Sequence, residues 1–186
     1  RQPVIMGKLR RKTSLLKNEV SFLKSKSGTA VKAVLTGPLT LAFLSKIQSP
    51  LYSSVFEVAD DLTDILSQEI RELSELGVDY IQMDEPCLVT LDSGEVDWKW
   101  VQHSFQKLSA SKGKSKLGVM TYFGDAVPVY EELHSLPVDF LGLDFTYSPG
   151  LVDEIIEKGS EKVLWLGALD GRNTKLENPE EVWKKI

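Results

Sequence analysis

The chain has 186 residues, 42% hydrophobic and 26% charged, which suits one globular domain with a real core and leaves little for a second. A net charge of −5 argues against nucleic acid as a partner, because phosphate binding wants a basic surface. The only cysteine, Cys87, rules out an internal disulfide and favours a cytoplasmic setting, and no apolar run approaches the roughly 20 residues that cross a bilayer.

Residues 4–7 read as a strand, followed by the cationic run Lys8, Arg10, Arg11 and Lys12. Such a run is either a solvated face or a seat for an anionic ligand. Residues 14–26 read as a helix, with Ser14 as a plausible cap. Residues 31–36 are a buried strand that must turn at Gly37-Pro38. A long helix is expected over 55–76, with Val55, Val58, Leu62, Ile65, Ile70, Leu73 and Leu76 on one stripe and Gly77 as its stop. Strands follow at 78–83, 117–121, 138–143 and 163–169. They alternate with helices at 96–111, 128–136, 150–158 and from Pro179 onward, the last with Asn178 as cap. No low-complexity segment and no signal peptide is visible. The opening Arg1-Gln2-Pro3, without an initiator methionine, is what a fragment or a part of a longer protein would show.

The pattern is six strand–helix units in one domain spanning 1–186. Strands joined by crossover helices are parallel, and parallel strands buried on both faces read as continuous apolar runs. Two architectures fit this: an open doubly wound sheet, or a TIM (β/α)₈ barrel. A full barrel takes about 250 residues, so a barrel here would be incomplete, without its first and last strands.

In both architectures ligands bind at the carboxyl ends of the strands. Almost every strand in this chain ends in groups able to bind or catalyse: Thr36-Gly37-Pro38, Asp84-Glu85-Pro86, Tyr122, Asp125, Asp144-Phe145-Thr146-Tyr147, and Asp170-Gly171-Arg172-Asn173. Helix capping explains Asp125 and Asp170 equally well, but not Asp84-Glu85-Pro86, which precedes a polar loop. Asp84, Asp144 and Asp170 would converge on one mouth, able to hold an ammonium group, a metal or a shared proton. Arg172 would clamp a carboxylate or phosphate, unless it only pairs internally with Asp144 or Asp84.

Gln82-Met83-Asp84-Glu85-Pro86-Cys87-Leu88 resembles the Q-x-D-E-P-A-L strand end of cobalamin-independent methionine synthases. The segment Val34 to Thr40 resembles that family's G-P-x-T turn. Thr121-Tyr122-Phe123-Gly124 and Gly167-Ala168-Leu169-Asp170-Gly171-Arg172-Asn173 resemble its T-Y-F and G-x-x-x-G-R-N segments, and residues 3–12 its second strand with the basic stretch after it. The resemblance covers essentially the whole chain, in the family's order.

The resemblance implies a TIM barrel belonging to a two-barrel enzyme without cobalamin. In that family the carboxyl-terminal barrel transfers a methyl group from methyl-tetrahydrofolate polyglutamate to the zinc-bound thiolate of homocysteine. Its zinc ligands include a His-x-Cys pair where this chain has Met120-Thr121-Tyr122, with no His and no Cys. His103 and His134 fall in expected helices away from the mouth. The chain is therefore most similar to the amino-terminal, non-zinc barrel, with no metal or cofactor of its own. Its expected partner is a catalytic barrel, in the same or a separate chain. Asp84, Glu85, Tyr122, Asp144, Asp170, Arg172 and Asn173 are the expected substrate-binding residues, and Lys8, Arg10, Arg11 and Lys12 the expected seat of the folate's glutamate tail. On that expectation, reversing the charge of Arg10 and Arg11 weakens triglutamyl folate but spares the monoglutamyl form. Two other readings stay open: a stand-alone small-molecule-binding protein or enzyme of the wider barrel group that includes uroporphyrinogen decarboxylase, and a degenerate scaffold with an interface marked by Trp98, Trp100, Phe105 and Tyr130.

Overall fold

The structure is a computed structural model and describes residues 2–92, 94–174 and 176–184. In chain order the elements are β1 (Val4–Ile5), α1 (Lys17–Lys26), β2 (Lys32–Thr36), α2 (Pro38–Phe43), β3 (Lys46–Ile47) and α3 (Val55–Glu75). There follow β4 (Tyr80–Asp84), α4 (Cys87–Thr90), α5 (Trp98–Ala110) and β5 (Lys116–Met120). A 3₁₀ turn (Val127–Val129) leads into α6 (Tyr130–Ser135), then β6 (Phe140–Asp144), α7 (Leu151–Lys158), β7 (Val163–Gly167) and α8 (Pro179–Trp183).

One sheet of five parallel strands, in the order β2-β4-β5-β6-β7, carries the fold. Its two faces differ. Ala33, Leu35, Ile81, Met83, Leu117, Val119, Leu141 and Leu143 are buried in one core with Leu66, Ile70 and Leu73 of α3, Phe105 and Leu108 of α5, and Leu133 of α6. Burying one such Leu or Ile is worth about 1.5–3 kcal/mol, so this face dominates stability. On the opposite face Lys32 stands over the Trp165 ring, 4.7 Å from its centroid, and the Trp165 and Phe140 rings stack at 4.1 Å. Tyr80 closes on both rings, at 5.8 Å and 6.2 Å. Phe140 lies where a side chain at position 118 would go, so only glycine fits there. A doubly wound sheet would place helices on both faces. Helices on one face and interleaved side chains on the other make this a section of a (β/α)₈ barrel.

The expected elements recur with ends shifted by a few residues. The first is an exception. Val4–Ile5 does not join the five-stranded sheet but pairs in parallel with Lys46–Ile47 in a separate two-stranded sheet. The reason is packing: Ile5 buries against Ala42, Tyr52, Val58 and Ala59, a small apolar cluster between α2 and α3. Ser14 is not the residue capping α1, although its Oγ accepts from Lys17 N at 3.2 Å. The helical turns α2 and α4 were hidden in the sequence because both are short. Among the described residues, no helix is long and apolar enough to cross a membrane.

Candidate functional site

Asp84 and Asp144 are the last residues of β4 and β6 and share the inner face with Gln82 and Phe140, two and four residues back. Both therefore reach the barrel mouth. Asp84 is held from two sides: Gln82 Nε2 donates to its Oδ1 at 2.6 Å, and Tyr122 OH to its Oδ2 at 3.4 Å. Gln82 is oriented in turn by Lys32, whose Nζ donates to its Oε1 at 2.8 Å. A polar chain thus climbs the inner face from floor to mouth. The Tyr122 phenol is pushed up from its ordinary pKa, first by burial and then by the Asp84 charge.

Asp144 does a different job. Its Oδ2 accepts from Phe123 N at 3.3 Å, and its Oδ1 accepts from Thr146 N at 2.9 Å and Thr146 Oγ1 at 2.5 Å. It ties together the loops that follow β5 and β6. Phe123 has a φ of 69°, in the left-handed region that side chains other than glycine rarely adopt. Asp170 accepts from Arg172 N at 3.1 Å, Arg172 Nε at 3.3 Å and Asn173 Nδ2 at 3.2 Å. Arg172 therefore pairs with Asp170, not with Asp144 or Asp84. Its guanidinium carbon lies 4.9 Å from the centre of the Phe123 ring and 4.6 Å from that of Tyr147.

Glu85 does not face the mouth, contrary to its expected place among the substrate-binding residues. It is 1% exposed, and its two oxygens accept from Leu39 N at 2.9 Å and Thr40 N at 2.8 Å. Side-chain direction alternates along a strand, so the neighbour of Asp84 turns away from the mouth. The carboxyl instead caps α2, filling the space beside Gly37 that any larger residue would need. Burial raises its pKa to about 7 despite those donors.

The cationic run is also divided. Lys8 Nζ pairs with Asp61 at 2.8 Å, and Leu9 N donates to Tyr52 OH at 2.7 Å. Arg11 binds Glu69, at 2.6 Å, and Glu72. Glu69 is fully buried and also accepts from Ser14 Oγ at 3.0 Å, Leu15 N at 3.0 Å and Leu16 N at 2.9 Å. Burial opposes its ionisation, but these donors together hold it below the usual carboxylate pKa. Lys8 and Arg11 are thus committed to α3. Arg10 and Lys12 are exposed, and among the described residues neither forms an ion pair. From Asp61 to Glu69 the run descends α3 toward the amino end of β4, along the outside of the barrel and away from the mouth.

The aromatic residues read as a possible interface are largely structural. Phe105 and Tyr130 are 1% exposed, and Trp100 packs on Phe56 with its Nε1 donating to Asp60 at 2.7 Å. The helix periodicity on α5 and α6 turned them toward the core. What sequence reasoning passed over is the Phe123–Tyr147 pair. Both lay inside quoted strand ends, but their joint contact with Arg172 spans three loops.

A zinc–thiolate site does not fit these residues. Cys87 is buried, and burial pushes its thiol pKa up, away from the thiolate a metal needs. His103 and His134 sit on α5 and α6, where His134 Nε2 accepts from Glu161 N at 3.1 Å. Among the described residues, no three His, Cys, Asp or Glu side chains are grouped to hold a metal.

Fold and mouth define a parallel α/β barrel with carboxylates, a phenol and a guanidinium at its strand ends. Residues 7–186 match the family described as cobalamin-independent synthase, N-terminal domain, and the chain belongs to that family. The 5-methyltetrahydropteroyltriglutamate–homocysteine methyltransferase of Bacillus subtilis (strain 168) is 35% identical over 154 residues, covering 81% of this chain and 20% of its own length. The protein of the same name from Herpetosiphon aurantiacus is 31% identical over 186 residues, 99% of this chain and 24% of its own length. The chain thus spans about a fifth to a quarter of these relatives. In fold it resembles a B12-independent methionine synthase from Shewanella sp. W3-18-1, solved in complex with selenomethionine, with TM-score 0.75 and 23% identity over 98% of this chain and 57% of that one. A methyltransferase from Methanosarcina mazei is similar at TM-score 0.58 and 18% identity, covering 80% of this chain and 56% of that one.

Proposed function

We propose that this chain contributes to methyl transfer from 5-methyltetrahydrofolate polyglutamate to homocysteine as the barrel without zinc, beside a catalytic barrel in the same or a separate chain. The observation that carries this reading is the match of residues 7–186 to the N-terminal domain of the cobalamin-independent synthases. The donor set at the strand ends supports it: carboxylates, a phenol and a guanidinium, which suit amines and carboxylates better than a soft metal. Asp84, Tyr122 and Arg172 form the binding face of the mouth. Asp144 and Asp170 brace it, with Asn173 beside Asp170.

Calorimetric titration with homocysteine and methionine, with and without zinc, tests the mouth. Binding should be independent of zinc and weaker in Asp84→Asn. Homocysteine binding that requires zinc would overturn the reading. The glutamate tail of the folate is assigned to Arg10 and Lys12, the exposed part of the cationic run; attraction for such a tail is mainly electrostatic.

A further inference from the structure

The rings of Phe123 and Tyr147, on the loops that follow β5 and β6, stand 6.2 Å apart at an angle of 70° and form a cleft between them. The guanidinium of Arg172 sits in that cleft, within 5 Å of both ring centres. Tyr122 packs edge-to-face against Phe123, ring centres 4.6 Å apart. Asp144 fixes the geometry, since one carboxylate holds both Phe123 N and the Thr146 segment leading to Tyr147. Asp170 adds negative charge at 3.3 Å from the cation.

Two features set this cleft apart from ordinary packing. Phe123 is 51% exposed and Tyr147 38%, so a sizeable aromatic surface faces solvent at the place where barrels bind ligands. Phe123 also holds an unfavourable left-handed backbone that a glycine would adopt without strain. The present occupant, Arg172, is itself half exposed and is held by a side-chain hydrogen bond with Tyr147 and by the pair with Asp170 two positions away. Exposed contacts of both kinds are individually weak. A cation from outside can therefore compete for the cleft.

We propose that the Phe123–Tyr147 cleft is a binding seat for the alkylated onium group of a small molecule, and that Arg172 occupies it as a displaceable internal substitute. Aromatic clefts with a nearby carboxylate suit cations that carry no N–H donors, because such cations lose little hydration on entering. On leaving, Arg172 regains a fork able to meet a carboxylate on the same ligand. The proposal rests on the reading of the strand ends as a ligand mouth, and specifies the head group that mouth accepts.

The test uses choline and its uncharged carbon isostere 3,3-dimethylbutan-1-ol, followed by the upfield shift of their methyl proton resonances on binding to the whole chain. Arg172→Gln should bind choline at least about tenfold more tightly than the unaltered protein, with the neutral isostere bound far more weakly. Adding Phe123→Gly, which removes the ring while relieving the backbone, should abolish the gain. Tyr147→Leu, which keeps apolar bulk, should lower it. Choline binding no tighter in Arg172→Gln, or equal binding of the isostere, overturns the proposal. Choline bound as tightly by Arg172→Gln/Phe123→Gly as by Arg172→Gln, with methionine still bound by the unaltered protein, would also overturn the onium seat, while leaving the mouth as a ligand site. Failure of every probe, methionine included, would overturn both.

Discussion

Two charged regions of this molecule, the flank of α3 and the barrel mouth, have opposite characters. The outer flank, from Lys8 to Leu16, is closed on itself except at the exposed Arg10 and Lys12: Glu69 is fully buried and its lone pairs are taken by Arg11, Ser14, Leu15 and Leu16. The mouth is half open, with Asp84, Tyr122, Asp144 and Asp170 only partly buried and Phe123, Tyr147 and Arg172 exposed. A run of charge in sequence says nothing about which of these it will become. The distinction is set by whether partners from distant segments satisfy each group. Where they do, the charge holds the fold together; where they do not, it remains available to a ligand.

The sharpest way to break this comparison is to remove Glu69. Glu69→Ala leaves Arg11 and the Leu15 and Leu16 amides without their acceptor, and breaking a buried pair from one side costs about 3–5 kcal/mol. Urea unfolding should show this loss, and a change under about 1 kcal/mol would mean the latch is not structural.

Glu85 gives a second large effect, with a pH signature. Its folded pKa is about 7 against an ordinary 4.5, so between those values the unfolded chain has released a proton that the folded chain keeps. Stability therefore falls as pH rises from about 4.5 through 7, by a total on the order of 3 kcal/mol. Glu69 has the opposite sign: its folded pKa is lowered, so its contribution is present at neutral pH and lost as pH falls through the acid range. Unfolding measured at pH 5 and pH 8 should show the decline in the unaltered protein and a flatter profile in Glu85→Gln. An unchanged slope would remove Glu85 as its source.

Smaller effects sharpen the other side. Reversing Arg10 and Lys12 together should weaken triglutamyl folate by roughly 3- to 10-fold, the worth of a few exposed charge pairs, and leave the monoglutamyl form alone. Arg11, now seen to hold Glu69, is unsuitable for that experiment because its loss disturbs the fold. Equal weakening of both folates would exclude the tail site. Asp170→Asn, at the exposed mouth, should change stability by less than about 0.5 kcal/mol. A larger loss would place the mouth among the structural regions.

Much of this was legible in the sequence. The alternation of apolar runs and amphipathic helices gave the parallel architecture, and the polar residues at strand ends located the mouth. The long α3 was clear because its apolar stripe is regular and Gly77, at φ 77°, ends it. Other features were hidden because they depend on distant partners. Val4–Ile5 reads as one more strand, and only the apolar cluster around Tyr52 explains why it stays outside the main sheet. Asp84 and Glu85 are adjacent and chemically alike, yet one faces the mouth and the other caps α2. Strand alternation implied the split, but only the position of Leu39 and Thr40 shows what Glu85 does there.

We propose that this barrel supports methyl transfer beside a catalytic barrel. The most direct measurement is transfer of an isotopically labelled methyl group from triglutamyl methyl-tetrahydrofolate to homocysteine, with zinc present. The chain alone should form no labelled methionine, and product should appear only when a barrel carrying a His-x-Cys zinc pair is added. Labelled methionine formed by this chain alone would contradict the account.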